Sequence, residues 1–209
     1  MLGGLPYMWR KIADEKARIY DRLNLATAKR VLLIGESNES CGFVEDLRRL
    51  LPADAEITSI DVIDRARDMC FAGEMGKNGA LGTWRWDYVD KIADNYYDAI
   101  AVMQGVQHTE DWTETAQHLT RVLKPGGVLA TGELSLGPPF EEKASADIHL
   151  LYIVEKIFAG IKMDWRKLSY WSVDDLRLAF GDRLTDQGWY VNRGLESFWG
   201  RKPTLSDTK

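Results

Sequence analysis

"DNYYDAIAVMQGVQHTEDWTETAQHLTRVLKPGGVLATGE", residues 94 to 133, is the stretch on which the fold turns. Within it, "YDAIAVMQG" (97–105) has the composition of a buried strand, and "TEDWTETAQHLTRVL" (109–123) follows as a helix. "PGGVLATGEL" (125–134) then turns sharply on its glycines and starts another strand. A strand, a helix and a second strand at this pitch predict a crossover unit of a parallel sheet.

Working outward, the same rhythm repeats upstream. "RVLLIG" (30–35) carries consecutive aliphatics, the mark of a strand covered on both faces. "FVEDLRRLLP" (43–52) is a helix ended by Pro52, "EITSIDV" (56–62) a second strand, and "DRARDMCFAGEM" (64–75) a helix. A turn, "GKNGALG" (76–82), leads into "TWRWDYV" (83–89) as a further strand. In residues 8 to 25, Met8, Ile12, Ala13, Ala17, Tyr20 and Leu23 fall close to helical spacing, which predicts an N-terminal helical cap over 1–29. Downstream of Leu134 comes the loop "SLGPPFEEKASAD", then the apolar helix "IHLLYIVEKIFAGI" (148–161) and the aromatic segment "KLSYW". "SVDDLRLAF" (172–180) reads as a helix capped by Ser172, with Asp175 as the capping-box acid. "GWYVNRG" and "SFWGRKP" form a hairpin, and "TLSDTK" reads as a frayed tail. The whole predicts one α/β domain over 1–209, built on a doubly wound sheet.

Bulk properties narrow the function. The 209 residues are 45% hydrophobic and 28% charged, which describes a globular chain with one sizeable core. A net charge of −5 and the lack of any Lys/Arg run speak against a nucleic-acid partner. Cys41 and Cys70 fit neither a zinc spacing nor a disulfide framework, and read as free thiols in a reducing compartment. The N-terminus lacks the basic-then-apolar order of a secretory leader. The most apolar segment is too short to span a bilayer and contains Glu155 and Lys156. A cytoplasmic protein with no membrane span and no metal is the expectation.

Residues 94–133, with "VLKPGG" (122–127) spaced as it is from "YYDAI", resemble the class I S-adenosylmethionine-dependent methyltransferases. The ending "SVDDLRLAF…GWYV…FWGRKP" is similar to the close of that family, where a two-stranded excursion adds an antiparallel strand. The resemblance implies a Rossmann-like seven-stranded sheet with its last strand antiparallel, a helical lid at 137–171, and S-adenosyl-L-methionine as cofactor. In open α/β sheets ligands bind beyond the carboxyl ends of the strands where strand order reverses, so the strands ending at Gly35 and near Gly105 should flank the site. Asp61, roughly 20 residues past the first loop, stands where an acid accepts both ribose hydroxyls. The resemblance implies Asp87 for the adenine amino group, Val62 and Tyr88 around the ring, and Gln104, near the end of the fourth predicted strand, among the cofactor-binding residues. Each of these has a plainer reading, as an N-cap for Asp61 and as core packing for Val62 and Tyr88.

One departure stands out. The family pattern after the first strand is an acid followed by Gly-x-Gly-x-Gly. Here those positions fall on Leu33, Gly35, Ser37 and Glu39, so one glycine of three is kept and the acid is lost. Ser37 still permits close approach, Asn38 tolerates left-handed backbone, and Gly42 is placed to take over part of the turn. Glu36 or Glu39 stands where it would meet the cofactor's ammonium; alternatively both are solvated, or Glu39 serves the following helix dipole. For a general base, His108 and Glu133 are the candidates at the mouth of the site, with His149 in the insertion behind them and His118 read as structural. The insertion and the N-terminal helix suit an apolar lid over a small acceptor, and equally a homodimer or heteromeric interface. Methyl transfer to a small, apolar acceptor is therefore the leading expectation. The degraded loop keeps two others open: a catalytically silent partner subunit, and a non-methylating enzyme on the same fold.

Overall fold

The computed structural model describes residues 16–35, 42–61, 91–103, 112–134, 173–192 and 195–207. Helix α1 covers 16–22 and is followed by a short 3-10 turn, Leu25–Thr27. Then come β1 (Arg30–Gly35), α2 (Phe43–Leu50), β2 (Glu56–Asp61) and β3 (Tyr97–Met103). They are followed by α3 (Trp112–Val122), β4 (Leu123–Leu134), α4 (Val173–Phe180), β5 (Thr185–Asn192) and β6 (Leu195–Arg201). The described strands form one six-stranded sheet in the order β2-β1-β3-β4-β6-β5. The predicted strand at 83–89, the helix at 64–75 and the lid at 137–171 lie outside the described residues.

Strands β2, β1, β3 and β4 are parallel, and β6 runs antiparallel to β4, as expected of the chain's ending. The period of two along β1 sorts its side chains between two cores. Leu32 and Ile34 join Ile60, Ile100, Val102, Leu119, Leu176, Phe180 and Phe198 on one face. Val31 and Leu33 join Ile19, Leu23, Phe43, Leu47, Ala99 and Ala101 on the other. All four β1 aliphatics are fully buried, which is why the strand carries no polar alternation. Leu33, where the family pattern has an acid, is one of them.

Local chemistry explains the boundaries. Gly42 takes φ +70° as the residue capping the start of α2, the left-handed geometry that a Cβ disfavours. Glu45 and Asp46 occupy the first turn of α2 and Arg48 and Arg49 the last, each sign at the end the helix dipole favours. Leu51 is already extended, as a residue before proline prefers. The N-terminal helix stops earlier than the expected Leu25, because Asn24 adopts φ +50° and breaks it.

The Lys-Pro-Gly-Gly segment does not begin its strand but interrupts it. β4 starts at Leu123, opposite Tyr97, and its next partner across the sheet is Val128 opposite Ala99. Lys124 to Gly127 therefore bulge out of the ladder. Gly126 sits at φ +81°, and a Cβ on Gly127 would lie 2.9 Å from the Asp98 carbonyl oxygen. The two glycines are thus required for different reasons, one for its backbone angle and one for space. The Lys202 ammonium donates to the carbonyls of Thr120 and Leu123, at 2.6 and 2.7 Å, and so closes the carboxyl end of α3.

The tail is tied down as far as Asp207, against the expectation of fraying. Asp207 accepts from the Thr204 amide at 2.7 Å and its hydroxyl at 2.8 Å, and pairs with Arg201 at 2.9 Å. The Arg201 hydrogen bond, followed by those from Thr204, lowers the Asp207 carboxyl to about 2. Because the folded value lies below the unfolded one of about 4, this contribution is complete above about pH 4. It is lost as pH falls toward about 2. Asp207→Asn should flatten that acid limb in a urea-stability profile; an unchanged limb would show that the tail does not couple to folding.

Thr131 supplies a second test. It is fully buried, and its hydroxyl has no hydrogen-bond partner among the described residues. An unpaired buried hydroxyl is costly, so Thr131→Val should raise stability by about 1 kcal/mol. A loss of stability in urea titration would mean that the hydroxyl has a partner after all.

Candidate functional site

The carboxyl ends of the strands meet in a single row. Gly35 pairs with Asp61 on one side and Met103 on the other; Met103 pairs with Gly132, Gly132 with Ser197, and Ser197 with Tyr190. The chain leaves β1 toward β2 on one side and returns to β3 on the other, so strand order reverses at Gly35. This is the crevice in which open α/β sheets bind ligands. Adjacent strands lie about 4.8 Å apart, which brings the Asp61 backbone within one strand of Gly35 and Gly132 within two.

Of the expected site residues, three fall here: Gly35 and Asp61 are partners across β1 and β2, and Glu133 follows the row by one residue on β4. Gly35 is buried and offers backbone without a side chain where the strand meets the crevice. These features suit a nucleoside cofactor: a backbone surface open to close approach, with an acid one strand away for a ribose. Glu36, Ser37, Asn38, Glu39, Val62, Asp87, Tyr88, Gln104, His108 and His149 lie outside the described residues. His118 sits partly buried in α3 at 3.8 Å from Glu114, consistent with a structural role.

The row also contains positions that sequence reasoning passed over. Gly132 stands directly across from Met103, and the glycine in "ATGE" was the available signal, since glycine near a strand end marks close backbone approach. Met103 carried no signal, because its place depends on pairing register. Among the described residues, no group of three or more His, Cys, Asp or Glu side chains is placed to hold a metal ion, and no helix is long and apolar enough to cross a membrane.

Asp98 lies at the opposite, amino edge of the sheet. It accepts from the amides of Lys29 and Arg30, at 2.9 and 2.8 Å, and from the Lys124 ammonium. Burial opposes its charge, but these donors outweigh it and hold the carboxyl below the ordinary range. The aspartate of "YYDAI" therefore ties the start of β1 to the bulge and takes no part in the crevice.

Comparison with known proteins agrees with this geometry. Residues 39–131 match the methyltransferase domain family. No curated protein sequence matches the chain. Among solved structures, the chain is similar to Haemonchus contortus phosphoethanolamine N-methyltransferase 2 in complex with S-adenosyl-L-methionine, with TM-score 0.59 and 12% identity. That match covers 91% of this chain and 53% of the other, so the chain spans about half the length of that enzyme. It is also similar to the Haloferax volcanii complex between the Trm112 methyltransferase activator and a methyltransferase, with TM-score 0.55, 14% identity, and 91% and 90% of the two chains covered. The [4+2]-cyclase SpnF matches with TM-score 0.55 and 13% identity over 90% of this chain and 80% of its own. At these identities the likeness is one of fold.

Proposed function

We propose that this chain, which carries a methyltransferase domain on a class I sheet, transfers a methyl group from S-adenosyl-L-methionine to a small, largely apolar acceptor. The observation that carries the reading is the row Asp61–Gly35–Met103 at the reversal of strand order, inside and beside the segment that matches the domain family. When bound, the cofactor supplies an activated methyl on a sulfonium. The protein's part is to hold and orient the reactants and to exclude water. In this reading Gly35, Glu36 and Ser37 line the methionine end, and Asp61 holds the ribose. Val62, Asp87, Tyr88 and Gln104 surround the adenine. His108 or Glu133 accepts the acceptor's proton where the nucleophile is a hydroxyl. The segment 137–171 with the cap 1–29 forms the acceptor side of a single domain, in a cytoplasmic protein.

A second reading rests on the first loop. Two of three glycines and the acid are missing there, and one protein of similar fold is solved in complex with a methyltransferase activator. A chain of this kind would serve as, or depend on, a partner subunit. The likeness to a [4+2]-cyclase keeps a non-methylating reaction as a further alternative.

Calorimetric titration with S-adenosylhomocysteine separates these readings. The methyltransferase reading expects saturable, one-site binding in the micromolar range. No binding at millimolar ligand would overturn it and leave the partner-subunit reading in front.

A further inference from the structure

Helix α1 lies across the antiparallel end of the sheet, on the face shared with α2. Its Arg18 guanidinium carbon lies over the Tyr190 ring, 3.6 Å from the centroid, and that of Arg22, one turn later, lies 4.5 Å from the Trp199 centroid. Tyr190 belongs to the carboxyl-edge row through Ser197 and Gly132, whereas Trp199 pairs with Ala130, two residues further from that edge. Arg18 therefore stands level with the site's row, about two strand spacings, or about 10 Å, from Gly132.

The charges of this pair are not matched by an acid among the described residues. Among the described residues neither guanidinium has a carboxylate within 4 Å, although Lys16 on the same helix is paired with Asp46 at 2.7 Å. Like charges one turn apart repel, so the two arginines disfavour each other unless an anion lies between them. A guanidinium held over a ring by cation–π attraction keeps its charge and its N–H fork, the geometry that grips carboxylates and phosphates. Arg18 is half-buried and Arg22 exposed, so the pair is open to solvent on the side away from the rings. Tyr190 itself remains 38% exposed beside them.

We propose that Arg18 and Arg22, braced on Tyr190 and Trp199, form an anion site that receives a carboxylate or phosphate monoester group at the acceptor end of the crevice. The site deepens the methyltransferase reading, and rests on it only in treating the anion as part of an acceptor. An apolar acceptor bearing one acidic group would satisfy both the aromatic lining and the paired arginines.

The test uses the full, 15N-labelled chain with S-adenosylhomocysteine present. Inorganic phosphate and sodium acetate are titrated separately at constant ionic strength, with sodium chloride as the control. The Arg18 and Arg22 Nε–H signals, assigned through Arg18→Gln and Arg22→Gln, should shift saturably at millimolar phosphate or acetate and not with chloride. Each single variant should weaken that binding at least tenfold, the double variant should abolish it, and Arg18→Lys should fall between. Identical shifts with chloride, or phosphate binding unchanged in the double variant, would overturn the proposal. Calorimetry on the same samples keeps the two readings apart. Nucleoside binding without an anion response rejects only the arginine site, and absent nucleoside binding rejects the methyltransferase reading.

Discussion

Asp61→Ala is expected to weaken S-adenosylhomocysteine binding by at least a hundredfold while leaving the unfolding free energy from urea titration within about 0.5 kcal/mol of wild type. A carboxylate that accepts two ribose hydroxyls makes two charge-assisted hydrogen bonds, each worth about 1.5–3 kcal/mol. Losing both exceeds the roughly 2.7 kcal/mol that a hundredfold change in affinity represents. Asp61 ends β2, so its side chain is not needed to continue the ladder with β1, and stability should be spared. Asp61→Asn keeps an acceptor oxygen without the charge and should lie between the two. Unchanged affinity in Asp61→Ala would remove this residue from the site.

Asp98→Ala should have the opposite profile, costing about 2–4 kcal/mol of stability. Two backbone N–H groups, of Lys29 and Arg30, and the Lys124 ammonium all lose their acceptor together. They lie where β1 begins and where the Lys-Pro-Gly-Gly bulge leaves the ladder, so the loss falls on two elements at once. Asp98→Asn should cost less, because its carbonyl oxygen still serves one donor set. The Asp98 carboxyl is held below its ordinary range in the fold. The stability it adds is thus present above about pH 4 and fades as pH falls through its folded value. Urea titration at pH 7 and pH 3 should therefore give a smaller difference between wild type and Asp98→Ala at pH 3. Equal differences at both would mean that the charge is unimportant and packing dominates.

The two predictions distinguish aspartates that look alike in the sequence. Each sits in or beside an apolar run, and each is followed by aliphatics. Asp61 ends its strand at the crevice, whereas Asp98 starts its strand at the far edge. Strand direction, legible from the order of strand and loop, is enough to separate them once the sheet is known to be parallel.

Sequence alone determined the alternation of strands and helices around residues 94–133, the buried character of β1, the closing hairpin, and the places of Gly35 and Asp61 near the ends of their strands. Those follow from local periodicity and from the physical demand that a two-faced strand be apolar throughout. Only the tertiary structure decided that Lys124–Gly127 interrupt a strand rather than open one, that the tail folds back onto Arg201, and that Gly132 completes the row. It alone set Arg18 and Arg22 on Tyr190 and Trp199. Apart from the tail, where Asp207 meets Arg201 six residues away, each of these is a contact between residues far apart in the chain, fixed by strand register and by the packing of a helix on the sheet. A side chain's spacing from its sequence neighbours carries no information about either.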